Sequence, residues 1–243
     1  KIECGSFVSA KWVPQMRGTN EIFEEIIRGD GVKYTALTPN LKGFENALHA
    51  KVDEVAVFAA ASETFSQKNV NCSIDESLAR FRDIFEKARQ KKIPVRGYVS
   101  CVVECPYEGY VAPKRVLEVT SKLLDMGCYE VSLGDTIGKG TPKKIDELLN
   151  VICESLNPEQ LAGHFHDTSD NAIKNVEVGL KYGITTFDTA IGGLGGCPYA
   201  PGAKGNLSTV QLINAIGIEN FLGISDLEML LCAEKYLFNL LKN

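Results

Sequence analysis

Two periods of apolar spacing alternate along this chain. Short runs of β-branched and apolar residues fall at 1–7, 33–38, 54–59, 95–101, 129–133, 160–166 and 185–191 and predict seven strands. Apolar residues three and four apart predict helices over 20–28, 41–50, 74–91, 113–126, 142–155, 169–182 and 208–216, with a last one over 225–241. Several helices carry their own punctuation. Ser73 precedes Ile74 with Glu76 three residues later, a capping box, and Thr141-Pro142 sets proline at a first helical position. Met126-Gly127 and Tyr182-Gly183 are left-handed stops.

Alternation of strand and helix predicts an α/β chain with a parallel sheet, either open and doubly wound or closed as a TIM (β/α)8 barrel. No Pro/Ser-rich linker interrupts it, so one catalytic domain over 1–243 is expected. Seven βα units are one short of a closed barrel, and Lys1 already lies inside an apparent strand. A leading strand and helix are therefore expected to be missing from this numbering.

Composition narrows the function. With 243 residues, 44% hydrophobic and 23% charged, and a net charge of −5, the chain reads as soluble and globular, and no nucleic-acid partner is expected. The lysine-rich pieces 89–92 and 139–144 are short, as solvated helix ends or loops are, and one of them can serve an anionic cofactor. No apolar run approaches the ~18 residues of a membrane span, so no membrane association is expected. No leader pattern is visible, which favours the bacterial cytoplasm, the mitochondrial matrix being the alternative. The eight cysteines sit in otherwise apolar segments, which suits reduced thiols. The Cys101-x3-Cys105 spacing is compatible with half a zinc site, or with a small buried residue followed by a loop cysteine.

In a parallel sheet the active groups belong at the carboxyl ends of the strands, and the polar residues gather there. Leu161 to Thr168 holds two of the three histidines, one residue apart. On a strand His164 and His166 share a face while Phe165 turns away. A same-face imidazole pair is an incomplete metal site, to be completed by oxygen donors or water from distant segments; the bland alternative is two hydrogen-bonded polar residues at a strand end. Glu3, amid Ile2 and Cys4, must be paired or catalytic if it faces the core, or else lies exposed. Asp135 in Gly-Asp-Thr-Ile-Gly either caps the turn or contacts a ligand. Arg96 and Tyr98 share a face, and a buried Arg96 calls for an acid such as Glu3 or Asp135. The loop 192–206 holds six glycines, enough for mobility and close backbone approach to a ligand, and presents Cys197, whose thiol can act as acid, base or nucleophile if a cation lowers its pKa. Asn206 offers an amide oxygen to a metal, or caps the helix near Ser208.

Seven separated motifs then fall in order: Ser6-Phe7-Val8-Ser9 through Lys11-Trp12-Val13-Pro14-Gln15-Met16; Thr38 to Glu45; Asn71-Cys72-Ser73-Ile74; Arg96 to Cys101; Ser132 to Gly138; His164 to Thr168; and Gly193 to Ala200. Together they resemble the hydroxymethylglutaryl-CoA lyase family of metallolyases over nearly the whole chain. The resemblance implies a TIM barrel that binds Mg²⁺ or Mn²⁺ through His164, His166, Asn206 and a first-strand aspartate without counterpart in this chain. It implies Cys197 and Glu3 as catalytic residues, and either His164 or that aspartate as the base for the substrate hydroxyl. Ser6, Asn69, Tyr98, Ser132 and Asp135 match positions lining the acyl pocket, and Lys68 matches one near the CoA end. The implied reaction cleaves 3-hydroxy-3-methylglutaryl-CoA to acetyl-CoA and acetoacetate, as in leucine degradation and ketone-body formation. The implied partner is an acyl-CoA substrate, and a homodimer or higher homo-oligomer is expected. Where the family commonly reads Tyr-Gly-Gln after His-Asp-Thr, this chain has Ser169-Asp170-Asn171. The rival readings are a related metallolyase or Claisen-type acyl-CoA synthase and, for a chain without the first strand, a non-catalytic acyl-CoA-binding protein.

Overall fold

Strands and helices alternate as the apolar periods require. The structure, a computed structural model, describes residues 1–196, 205–223 and 226–242. In chain order the elements are β1 (Ile2–Ser6), α1 (Thr19–Glu25), β2 (Tyr34–Leu37), α2 (Leu41–His49), β3 (Glu54–Ala60), α3 (Glu63–Val70), α4 (Ile74–Lys91) and β4 (Val95–Ser100). A small hairpin, β5 (Glu104–Cys105) and β6 (Gly109–Tyr110), precedes α5 (Pro113–Met126), β7 (Val131–Asp135) and α6 (Pro142–Cys153). The chain continues through β8 (Leu161–Phe165), α7 (Ala172–Lys181), β9 (Thr186–Phe187), α8 (Thr209–Ile216) and α9 (Leu227–Leu240).

Two compact units divide the chain, Lys1–Ser100 with Arg115–Ser132, and Cys101–Lys114 with Leu133–Asn243. In the first the strand order is β1-β2-β3-β4-β7, and β1, β2, β3 and β4 pair in parallel. Strand β3 is almost wholly buried, the signature of a strand covered on both faces, and α4 supplies part of its cover. Ser73 and Glu76 close the expected capping box at the start of α4. One face of that helix then buries Ile74, Leu78, Phe81, Ile84, Phe85 and Ala88. Each large apolar side chain of that stripe contributes about 1.5–3 kcal/mol over its exposed state.

The second unit runs β7-β8-β9, with β8 and β9 parallel, and packs Leu133, Ile145, Leu148, Leu149, Ile152, Leu161 and Ile184 in its core. Thr141 accepts from the Lys144 backbone N–H ahead of Pro142, as the sequence predicts for α6. Helix α7 starts at Ala172, three residues later than expected. The Asp167 carboxylate accepts from the Ala172 N–H at 2.9 Å, and Asp170 turns at φ 55°, so 168–171 is a loop. Strand β7 begins two residues later than expected and takes in Asp135. The expected strand 185–191 keeps its ladder only at Thr186–Phe187. Helix α3 and the β5–β6 hairpin have no counterpart among the expected elements. Among the described residues no helix is long and apolar enough to cross a membrane.

Candidate functional site

The second unit builds its site on the alternation of β8. Phe165 and Phe187 turn to one side, their ring centroids 6.3 Å apart. There Phe187 packs on Gly163 and Gly179, against α7. His164 and His166 turn to the other side, and their Nε2 atoms face each other at 3.3 Å. The 162↔186 and 163↔187 register, continued by the Asp188 N–H donating to the Gly163 carbonyl at 2.8 Å, brings Asp188 beside His164. Its carboxylate stands 3.2 Å from His164 Nδ1. Asn206 arrives by an antiparallel bridge to His166. Its Nδ2 donates to the Leu194 carbonyl at 2.9 Å, so the amide oxygen is the atom that could face a cation. The close backbone explains two of the loop glycines. A Cβ at Gly195 (φ +98°) would meet Asn206 Nδ2 at 2.7 Å, and one at Gly205 (φ +65°) would meet the Gly193 carbonyl oxygen at 2.1 Å.

This geometry fits a divalent cation. Two nitrogens 3.3 Å apart are spanned by two metal–nitrogen bonds of about 2.1 Å. His166 is held neutral: burial first, and the neighbouring His164 second, push its pKa down to about 4, against an Asn206 hydrogen bond that raises it. A neutral imidazole is the ligating form. Its buried Nδ1 makes no hydrogen bond. Among the described residues no group of three His, Cys, Asp or Glu side chains is placed to hold a metal ion, so the histidine pair has the Asn206 amide beside it and no third side chain of those types.

Asp135, fully buried, holds its own turn. Its two carboxylate oxygens accept the N–H groups of Lys139 at 3.1 Å and Gly140 at 2.7 Å. Burial nevertheless pushes its pKa up to about 6, with those two hydrogen bonds and Lys144 pulling the other way. Asn175 of α7 donates to the Gly140 carbonyl at 3.0 Å, tying the turn to the helix that follows the histidine strand.

The first unit holds the other residues singled out by sequence. Tyr98 accepts from Arg96 Nη1 at 2.8 Å and donates to Glu3 Oε2 at 3.1 Å, so Glu3, Tyr98 and Arg96 form one chain of contacts. Arg96 pairs with Glu130, Nε to Oε1 at 2.6 Å, so the buried guanidinium has a carboxylate partner as expected, the acid here being one that the sequence reading did not name. Glu130 precedes β7 between Tyr129 and Val131, and nothing in its sequence setting distinguishes it from an exposed strand-end acid. Ser6 is buried, its N–H donating to Thr19 Oγ1 at 3.3 Å, and Ser132 is buried in β7. On α3, Asn69 is half-buried and Lys68 exposed. Cys197 lies outside the described residues.

A parallel βα chain with paired imidazoles at the carboxyl end of a strand points to the class of α/β-barrel enzymes. A family model described as HMGL-like matches residues 1–235, and the chain belongs to that family. A curated relative from Pseudomonas aeruginosa, a 3-hydroxy-3-isohexenylglutaryl-CoA/hydroxy-methylglutaryl-CoA lyase, is 54% identical over 92% of this chain and 75% of its own length. The HMG-CoA lyase structure from Brucella melitensis superposes with a TM-score of 0.95 at 47% identity, over 100% of this chain and 86% of that one. An HMG-CoA lyase from Acinetobacter baumannii, in complex with coenzyme A and 3-methylmalate, gives 0.93 at 35% identity over 100% of this chain and 79% of its own. The expected TIM-barrel fold is thereby borne out.

Proposed function

We propose that this protein cleaves 3-hydroxy-3-methylglutaryl-CoA into acetyl-CoA and acetoacetate. The carbon–carbon lyase class follows from its family and its relatives at about half identity. The observation that carries the site is the convergence of His164 and His166 at 3.3 Å beside Asn206. The family is one of divalent-metal-dependent enzymes, and these three residues are the ones that would hold Mg²⁺ or Mn²⁺. Bound there, such an ion supplies Lewis acidity toward the hydroxyl and carboxylate oxygens of the substrate.

The chain's own residues handle protons. The tertiary hydroxyl loses its proton to a base at this centre, a role the sequence resemblance implies for His164 or for the first-strand aspartate. The bond between the carbinol carbon and the thioester α-carbon then breaks. Its electron pair moves to the thioester as an enolate, while the carbinol carbon becomes the ketone of acetoacetate. The enolate carbon takes a proton to give acetyl-CoA, from Cys197 with Glu3 assisting, the roles that the sequence resemblance implies for them. Glu3 suits proton traffic because its carboxylate is held by the Tyr98 hydroxyl at 3.1 Å. Ser6, Asn69, Ser132, Asp135 and Lys68 are assigned to the acyl and CoA portions on the same basis.

The test is acetoacetate release from the methylglutaryl thioester, with and without added Mg²⁺ or Mn²⁺, for the parent chain and His166→Ala. Metal-dependent turnover lost in the variant is expected. Absence of turnover by a parent that binds the ion would overturn the reading. The isohexenyl analogue, named for the Pseudomonas relative, run in parallel measures how far the acyl pocket tolerates a longer chain.

A further inference from the structure

We infer that Asp188 is the residue that sets the tautomer and the aim of His164. It is a positioning residue for the cation centre rather than a ligand, and the inference rests on the reading of that centre given above. Three observations carry it. The parallel register places Asp188 directly across from His164: the pairs 162↔186 and 163↔187 precede it, and the Asp188 N–H is anchored on the Gly163 carbonyl at 2.8 Å. The alternation of side chains leaves it no other face, because Phe187 before it fills the space against Gly163 and Gly179 on the helix side. Its Oδ2 then meets Nδ1 of His164 at 3.2 Å, while Nε2 of the same ring points to His166.

The chemistry follows from the inventory of the ring. A neutral imidazole has one N–H and one lone pair, and a carboxylate only accepts. Asp188 therefore selects the Nδ1–H form, which leaves the lone pair on Nε2, the atom that faces the second histidine. A carboxylate behind a ligating imidazole also raises its basicity and freezes its rotation about the ring axis. His166 has no such support, since its Nδ1 is buried without a hydrogen bond. The two imidazoles are thus unequal, and the oriented one is His164. His164 and Asp188 are both part-buried, with side-chain exposures of 28% and 21%, so the contact is shielded without being sealed from solvent. Short strand β9 has a reason to exist on this view: two ladder residues suffice to deliver one carboxylate.

The experiment uses the full chain and the variants Asp188→Ala and Asp188→Asn, with thermal melting to confirm that each folds. Nitrogen-15 shifts of the histidine rings in metal-free protein report the tautomer, and Mn²⁺ binding followed by electron paramagnetic resonance reports affinity without any turnover. The parent is expected to show His164 as the Nδ1–H form. Asp188→Ala is expected to shift it toward the Nε2–H form and to weaken Mn²⁺ binding about 10- to 100-fold. Asp188→Asn, able to accept or to donate, is expected to fall between. An unchanged His164 tautomer and unchanged Mn²⁺ affinity in a folded Asp188→Ala protein overturn the inference alone. A parent that binds no Mn²⁺ overturns the cation centre, and this inference with it.

Discussion

His164 and His166 point their Nε2 atoms at each other across 3.3 Å, one from the end of β8 and the other from the residue just past it, and present two nitrogens to one place. Neither atom is replaceable by a side chain that lacks a lone pair at that place. His164→Ala and His166→Ala are each expected to weaken Mn²⁺ binding by at least about 100-fold, more than the loss of a supporting carboxylate. Titration calorimetry on the folded variants checks this. Retention of parent-like affinity by either one would remove that histidine from the centre.

Two buried groups of the same unit titrate in opposition. Asp135 is raised by burial from 3.8 to about 6, so the folded state holds its proton more tightly than the unfolded chain does. Its stabilising contribution is complete below pH 3.8 and lost as pH rises through about 6. His166 is lowered by burial from 6.5 to about 4, so its contribution is present above 6.5 and lost as pH falls toward 4. Each effect is worth roughly 3 kcal/mol, and between the two midpoints they largely cancel. Urea denaturation from pH 4 to 7 is expected to show a shallow profile in the metal-free parent. His166→Gln should gain stability on acidification, and Asp135→Asn should lose it more steeply. Three parallel profiles would show that neither group is perturbed as described.

The order of the elements and the imidazole pair were legible in sequence because both depend on local spacing. Seven apolar runs separated by helical periods give parallel pairing, and His-x-His on a strand gives a shared face. What stayed hidden depends on distant pairing or on very short elements. Asp188 is marked by nothing within its own segment, and only the β8–β9 register reveals it as the neighbour of His164. Glu130 is similar, an ordinary acid until β7 is aligned beside β4. Helix α3 is eight residues long and buries only Phe65 and Ser66, so it has no apolar stripe to read. The late start of α7 follows from Asp170, whose φ of 55° is not helical, and from the Asp167 carboxylate that takes the Ala172 N–H; Ser169-Asp170-Asn171 holds no apolar position to mark the start.

The Arg96–Glu130 pair offers a sharper stability test. Both side chains are nearly buried, at 7% and 10% exposure, and their contact is 2.6 Å. Removing the acid alone leaves a guanidinium in the core of the first unit. Glu130→Ala is therefore expected to cost about 3–5 kcal/mol, whereas Arg96→Met with Glu130→Leu should recover much of that loss. Because Arg96 also donates to Tyr98, which holds Glu3, Glu130→Ala should lower turnover even at temperatures where the protein remains folded. Equal stability of the single and double variants, measured by denaturant unfolding, would contradict the buried-charge account.

Gly163 tests whether packing on the helix side controls the histidine side. A Cβ there would fall 2.8 Å from Phe187 Cδ1 and 2.9 Å from Phe165 Cε2, closer than carbon atoms approach. Phe187 has nowhere to retreat, since its ring already lies where a Cβ on Gly179 would be, at 2.9 Å. Gly163→Ala must then push β9 away from β8, at about 1–3 kcal/mol for overpacking. The next pair in that register is His164 with Asp188, so the same displacement lengthens the Nδ1 to Oδ2 contact. Mn²⁺ affinity is expected to fall by about 10-fold, the lower range for a weakened supporting contact. Trimming the obstructing ring should reverse both effects: Gly163→Ala combined with Phe187→Leu is expected to regain Mn²⁺ affinity along with part of the stability. If the single variant loses stability but binds Mn²⁺ like the parent, the two faces of the strand are uncoupled, and His164 is held by something other than the β8–β9 register.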